Sequence, residues 1–190
     1  MNVIAALVAG YICFSLELGL RKAIAIGAAG VSPSFAFILC VVICLSASPQ
    51  AALWTCLFVG LLTDLTWPHE LVSGVSTQTF IGPYAIGYLV AGQFVLSVRR
   101  DMFRGNPLTL GVLCAVGLAI AQIVIVALYA FRSGYTPELE WQPTSQLLVR
   151  LGVALYTGVV GVVVGIFAGP LTSALGVHQA PQRRFTRPIY

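Results

Sequence analysis

Charged residues and prolines divide this sequence into six apolar pieces, each near the ~20 residues that a helix needs to cross a lipid bilayer. In chain order the pieces are Val3–Leu20, Pro33–Ser46, Gln50–Thr66, Gln78–Val98, Pro107–Phe131 and Ser145–Leu171. Only 8% of the residues are charged, whereas a soluble domain carries about a quarter. The chain is therefore predicted to be a membrane protein, and neither a disordered chain nor a nucleic-acid-binding module is expected.

Lipid cannot hydrogen-bond to the backbone, so the apolar pieces must form helices. The sequence predicts an all-α polytopic protein, with a single six-helix transmembrane domain over residues 1–172 and a basic cytoplasmic tail over residues 173–190. We expect the second helix to extend backward through the Ala- and Gly-rich stretch that follows Lys22. Pro83 lies within the fourth piece and is expected to kink that helix.

The basic residues favour one orientation of this bundle. With six spans, the side that holds both termini gathers Arg99, Arg100, Arg104, Arg183, Arg184 and Arg187. The other side gathers Arg21, Lys22 and Arg132, with Arg150 at the start of the sixth piece. Because short cytoplasmic loops carry the excess of Lys and Arg, both termini are predicted to be cytoplasmic. The terminal cluster of Arg183, Arg184 and Arg187 is then expected to contact anionic lipid.

Two acidic residues, Glu17 and Asp64, lie inside apolar pieces, where a charge is costly and marks a candidate functional site. Glu17 precedes Arg21 by four residues, which favours a helix-end ion pair. Asp64 has no basic neighbour in sequence, so it is expected either to cap the turn before Pro68, to meet Lys22 or Arg150 from another helix, or to bind a partner or ligand.

Other polar groups give no sign of catalysis. The cysteines lie within apolar runs without the spacing of a metal site, so we expect buried thiols and neither metal nor cofactor. No motif of a hydrolase, protease or phosphate-binding loop occurs, and an enzyme is not expected. Small residues recur four apart at Gly161, Gly165 and Gly169, and at Ala5 and Ala9. Such faces serve internal packing or the docking of another helix, and the sequence leaves a homodimer open.

The stretch from Gly30 to Gly92 resembles the MreD family of bacterial rod-shape-determining membrane proteins. The matching features are a proline that opens the second helix, a G-L-x-x-D sequence that ends the third, a later glycine, and tyrosines in the fourth. Here these are Pro33, Gly60 to Asp64, Gly74, Tyr84 and Tyr88. In the family an aspartate commonly follows the proline, whereas this chain has Ser34.

The resemblance implies a non-enzymatic scaffold of the cell-wall elongation machinery, or elongasome, in the bacterial inner membrane. Such a protein would bind an MreC-like membrane partner and other elongation components, and so support peptidoglycan synthesis and rod cell shape. The contact candidates are then Glu17, Asp64 and the loop over residues 132–142, all on the predicted outer side.

An alternative interpretation is a transporter subunit. The family's fold resembles the six-helix substrate-binding components of energy-coupling-factor vitamin transporters, which dock their partner through small-residue faces on the first helix. Ala5 and Ala9 could form such a face, and Glu17 and Asp64 would lie where the ligand pocket of those proteins opens. An outer pocket lined by polar groups would favour transport, whereas a groove of small residues facing lipid would favour a scaffold.

Overall fold

The computed structural model describes residues 3–27, 30–66, 69–70, 77–78, 81–99, 106–135 and 143–174. Within these ranges the chain forms helices in the order α1 (Val3–Leu20), α2 (Phe35–Ser46), α3 (Pro49–Thr66), α4 (Pro83–Val98), α5 (Pro107–Ser133) and α6 (Pro143–Ala174). Two short strands, β1 (His69–Glu70) and β2 (Thr77–Gln78), pair in antiparallel fashion between α3 and α4. The predicted all-α class is confirmed, and the helices lie close to the predicted pieces.

The backward extension of α2 is wrong. Residues 21–27 form turns, and Ile26 and Val31 make an isolated antiparallel bridge. Gly27 and Gly30 have φ values of 73° and 65°, a left-handed conformation that glycine adopts at no steric cost and that ends a right-handed helix. The helix instead begins after Ser34, whose Oγ accepts a hydrogen bond from the backbone N–H of Phe37. Ser34 is thus an ordinary N-cap.

The expected kink at Pro83 is also wrong, because α4 begins at Pro83 and not at Gln78. Proline suits the first turn of a helix, where its missing N–H would have no partner within the helix. The residue before it, Gly82, has a φ of 130°. This conformation directs the chain into α4. Because Pro83 is the first residue of α4, it does not interrupt the helix.

The short helix α2 lies at the centre of the bundle. All nine residues from Ala36 to Cys44 are buried, and α2 contacts α1, α3, α4, α5 and α6. A helix that is apolar on every side is one that other helices surround. The ring of Phe37 in α2 packs edge-on against that of Tyr88 in α4, with centroids 5.1 Å apart. The core is therefore built around α2.

Small residues bring the longer helices together around this core. A Cβ atom added at Gly158 of α6 would lie 2.7 Å from the Cβ atom of Ala115 in α5. One added at Gly165 would lie 2.9 Å from Cα of Pro107. The glycine face of α6 therefore serves internal packing on α5. The surroundings of Gly169 and of the Ala5 side chain are not among those that the structure describes.

Two helices have the length and composition of a membrane span. Within the described residues these are Pro107–Ser133 and the part of α6 over Thr144–Phe167, and only 22% of the latter's apolar window is buried. Large apolar side chains of α6 are correspondingly exposed, as for Leu155 (69%) and Phe167 (70%). Water does not accommodate a continuous apolar surface of this kind, which indicates association with a membrane.

Candidate functional site

Glu17 binds the start of the central helix. Its carboxylate accepts a hydrogen bond of 2.8 Å from the backbone N–H of Ala36 and bonds of 3.2 and 3.3 Å from the Oγ of Ser34. The first N–H groups of a helix have no partner within it, and they carry the positive end of the helix dipole. A carboxylate from α1 therefore caps α2 from outside.

Asp64 does the same for α4. Its side chain is 1% exposed, and its two oxygens accept hydrogen bonds from the backbone N–H groups of Gly82 (2.9 Å), Tyr84 (3.0 Å) and Ala85 (3.2 Å). Three donors around one carboxyl group satisfy its buried oxygens and fix the angle between α3 and α4. Asp64 lies in the last turn of α3, so the contact joins the end of one helix to the start of the next.

Gly60 explains why Asp64 can reach α4. It precedes Asp64 by four residues and so lies on the same face of α3. A Cβ atom at this position would lie 2.6 Å from both Cα of Ala85 and the carbonyl oxygen of Tyr84. The two backbones are therefore in direct contact, and only glycine leaves room for that approach. Gly60 and Asp64 form one packing unit.

A second part of the site connects α4, α5 and α6 through Arg150. One guanidinium nitrogen, Nη1, donates hydrogen bonds of 2.9 Å to the hydroxyl of Tyr84 and to Oε1 of Gln122. The guanidinium also lies over the rings of Tyr84 and Tyr129, at 5.6 and 5.8 Å from their centroids. These are cation–π distances, so the charge of Arg150 is held by aromatic faces and oxygen acceptors together.

Ser34 joins these groups to the centre of the bundle. Its backbone N–H donates to Oγ1 of Thr157 in α6 at 3.0 Å, and its Oγ lies 3.4 Å from the hydroxyl of Tyr88. Tyr88 is 1% exposed and its ring also meets that of Tyr84, with centroids 6.0 Å apart. The polar groups thus form one cluster at the end where α1 and α3 finish and α2, α4 and α6 begin. We call this the acid-bearing end of the bundle.

The opposite end carries a simpler arrangement. Nη1 of Arg99, just after α4, donates hydrogen bonds of 2.9 Å to the carbonyl oxygens of Cys44 and Ala47 at the end of α2. A cation there complements the negative end of the helix dipole. The central helix is therefore held at its start by an acid of α1 and at its end by a base that follows α4.

Three thiols meet near this opposite end. The Sγ atoms of Cys44 and Cys56 are 3.7 Å apart, and Cys40 lies one turn before Cys44 in α2. All three are buried, as is Cys114 in α5, whereas Cys13 is half-buried. Within the part of the chain that the structure describes, no group of three or more metal-ligating side chains is placed to hold an ion. The thiols pack as small apolar groups.

The structure brings together most of the residues that the sequence singles out. Glu17, Asp64, Tyr84 and Tyr88 all belong to the cluster, and Gly60 positions one of them. Pro33 directly precedes Ser34, the N-cap of α2. Gly74 lies outside the described residues, as do the loop over 136–142 and the terminal Arg183, Arg184 and Arg187.

The partners of the two acids differ in part from those expected. Arg21 acts on Glu17 electrostatically, as the spacing suggests, but the hydrogen bonds of Glu17 go to the start of α2. Asp64 accepts hydrogen bonds from backbone N–H groups at the start of α4. Sequence reasoning missed the buried Gln122 and Thr157, whose signal is a single polar residue within an otherwise apolar helix.

The polar side chains of the cluster bind one another or the backbone of neighbouring helices. Its carboxylates are engaged by helix N–H groups, and the Arg150 guanidinium by a phenol and an amide oxygen. Comparison with protein-family models, with curated proteins and with solved structures gives no match.

Proposed function

We propose that this protein is a non-enzymatic membrane scaffold that binds the transmembrane segment of another membrane protein. The proposal rests on one observation. The two acids that lie within apolar helices, Glu17 and Asp64, each cap the helix that follows in the chain. Acids that serve catalysis or transport must face a substrate. Here they fasten neighbouring helices to one another, which leaves the outer helix faces to do the binding.

The membrane placement in this proposal is six spans with both termini in the cytoplasm. It is supported by the exposed apolar side chains of α1 and α6, such as Tyr11 (77% exposed) and Leu155 (69% exposed). The central helix α2 has 12 residues, about 18 Å at 1.5 Å per residue. It is too short to cross the bilayer core alone, so its start at Ser34 would lie below the surface, within the bundle. The acid-bearing end would face outward.

The partner proposed is an MreC-like protein of the bacterial cell-wall elongation machinery, with a role in rod cell shape. This rests on the resemblance of the stretch from Gly30 to Gly92. The packing unit of Gly60 and Asp64 gives its G-L-x-x-D sequence a structural reason, since the glycine and the acid together seat α4 on α3. Because this contact fixes α4 on α3, these two helices present a constant surface to a partner helix.

The test is photo-crosslinking in the native membrane followed by affinity purification. A photoreactive residue is placed at Tyr11 on α1, at Leu155 on α6 and at Leu108 at the start of α5, three exposed positions on different helices. We expect an adduct with an MreC-like protein from at least one position. Recovery of ATPase subunits in its place, or no MreC-like protein from any position, would contradict the scaffold.

A second candidate function is the substrate-binding subunit of an energy-coupling-type vitamin transporter. The arrangement of Arg150 with Tyr84, Gln122 and Tyr129 favours it, because a cation framed by aromatic rings and amide groups is a common way to orient a small anionic ligand. Native mass spectrometry of the purified protein would reveal a bound vitamin. Its loss in Arg150→Met, with the bundle intact, would support transport.

A further inference from the structure

Helix α1 is the most weakly packed helix of the bundle. None of its described side chains, from Val8 to Leu20, is buried, whereas α2 alone buries nine residues. Across the described residues α1 packs against α2, and no other helix makes more than a marginal contact with it. Ala9 and Cys13 are the residues of α1 that meet the apolar core. A segment with few buried contacts is one that can open locally.

The polar attachment of α1 is concentrated in one residue. Glu17 supplies the side-chain hydrogen bonds that join the described part of α1 to α2, through Ser34 and the N–H of Ala36. The rest of the described interface is apolar, and a Cβ atom added at Gly10 would be in ordinary van der Waals contact with Leu39, at 3.9 Å. The carboxylate is therefore the polar part of what holds the described part of α1 in place.

The chain that follows α1 is fixed separately. The hydroxyl of Tyr156 in α6 donates to the carbonyl oxygen of Ile24 at 3.3 Å, and Val31 packs beside Gly152. A turn at Leu20, closed by hydrogen bonds from the N–H groups of Ala23 and Ile24, separates this fixed stretch from α1. The turn is a natural pivot, and Glu17 lies one helical turn before it.

The remaining helices have interfaces with one another that do not involve α1. α2 keeps contacts with α3, α4, α5 and α6, and the pairs α3–α4, α4–α5 and α5–α6 have interfaces of their own. We propose that α1 is a lid on the central helix, latched by the Glu17 carboxylate, and that it can swing away at the Leu20 turn while α2 to α6 stay folded. Opening uncovers Ser34 and the face of α2 around Leu39.

The experiment is hydrogen–deuterium exchange with mass spectrometry on the full chain in detergent micelles. Glu17→Gln keeps the size of the side chain and replaces one acceptor oxygen with an NH2 donor. Once released, α1 loses its packing on α2 and frays, so we expect exchange about tenfold faster in α1 and in the first turn of α2, in line with the loss of a hydrogen bond. Exchange in α3 to α6 stays at the native rate.

A double variant tests whether Glu17 holds α1 in place or only caps α2. In Glu17→Ala with Ser34→Asp, the new aspartate can cap α2 from its own N-cap position, but the alanine has no side-chain donor with which to hold α1. We expect protection to return in the first turn of α2 while α1 still exchanges fast. Return of protection in both segments would overturn the lid, since α1 would then follow the state of α2.

The matched control is Asp64→Asn, which removes the equivalent cap on α4. It should speed exchange at the start of α4 and leave α1 unchanged. The proposal is overturned if Asp64→Asn loosens α1 as much as Glu17→Gln does. It is also overturned if Glu17→Gln leaves α1 at the native rate, or if it speeds exchange in all helices together.

Discussion

Glu17 and Asp64 stand in the same relation to the helix that follows each of them. Each acid lies in the last turns of its helix, α1 or α3, and accepts hydrogen bonds at the start of the next helix, α2 or α4. Glu17 accepts one backbone N–H and the Ser34 hydroxyl, whereas Asp64 accepts three backbone N–H groups. The chain therefore contains two successive helical hairpins fastened by the same device. In each case a prolyl residue, Pro33 or Pro83, lies beside the capped N-terminus.

This relation has an energetic reason. Four N–H groups at the start of any helix lack partners within it, and inside a bundle or a bilayer no bulk water replaces them. A carboxylate supplies acceptors and complements the helix dipole at once. The carboxyl group and the helix start each lose hydrogen bonds to water on folding, and each then stabilises the other.

Replacing Gly60 with alanine should weaken the protein. The added methyl group would lie 2.6 Å from the α4 backbone at Tyr84 and Ala85, so α3 must move away and the Asp64 hydrogen bonds lengthen. We expect a loss of about 1–3 kcal/mol in the free energy of unfolding, the usual cost of overpacking, measured by denaturant titration in micelles.

The control for this substitution is Gly19→Ala, where an added Cβ atom meets nothing within 4 Å. It should leave stability unchanged or raise it by a few tenths of a kcal/mol through helix propensity. Equal effects of the two substitutions would show that the contact between α3 and α4 is not tight at Gly60.

Arg150 and Tyr84 should be energetically coupled. In a double-mutant cycle with Arg150→Met and Tyr84→Phe, the pair should show a coupling free energy of about 1 kcal/mol, since Tyr84→Phe removes the 2.9 Å hydrogen bond and keeps the ring over which the guanidinium lies. Unfolding of the single and double variants measures it. Additive effects would mean that the contact contributes nothing to stability.

The cysteines should differ in reactivity. Cys40, Cys44, Cys56 and Cys114 are buried and Cys13 is half-buried. Brief treatment of the folded protein with N-ethylmaleimide should modify Cys13 first, whereas treatment after unfolding should modify all five cysteines. Mass spectrometry of peptides gives the order. Modification of Cys44 or Cys56 as fast as Cys13 would contradict the packing of α2 against α3.

The bounds of the helices were largely predictable because charges and prolines mark their ends. α1 runs over Val3–Leu20 as expected, and α3 differs from its predicted piece by a single residue at the start. The two errors have one cause. Around Pro33 and Pro83, the turn before the helix sets where the helix starts. The hydropathy of the sequence does not indicate the position of such turns.

The acids of the site were predictable because a charged residue is unusual within an apolar helix, and Tyr84 and Tyr88 were predicted through the family resemblance. Their hydrogen-bond partners were not. Glu17 and Asp64 bind backbone N–H groups, which every residue except proline has, so no side-chain pattern marks them. Thr157 and Gln122 come from helices far along the chain, and their meeting depends on the packing of α5 and α6 on the core.

We propose that Glu17 and Asp64 serve to hold helices together and not to bind a ligand. Asp64 tests it best, because three hydrogen bonds converge on a side chain that is 1% exposed. Asp64→Asn keeps the shape of the side chain but replaces one acceptor oxygen with a donor that would face a backbone N–H. Thr66→Val, which removes an exposed hydroxyl bonded to the carbonyl oxygen of Leu62, is the control.

The measurement is the free energy of unfolding of Asp64→Asn in micelles, compared with the native protein and with Thr66→Val. We expect a loss of about 2–4 kcal/mol for Asp64→Asn, the scale for leaving buried hydrogen-bonding groups without their partner, and little change for Thr66→Val. Native stability in Asp64→Asn, together with loss of a bound ligand or partner, would contradict the proposal.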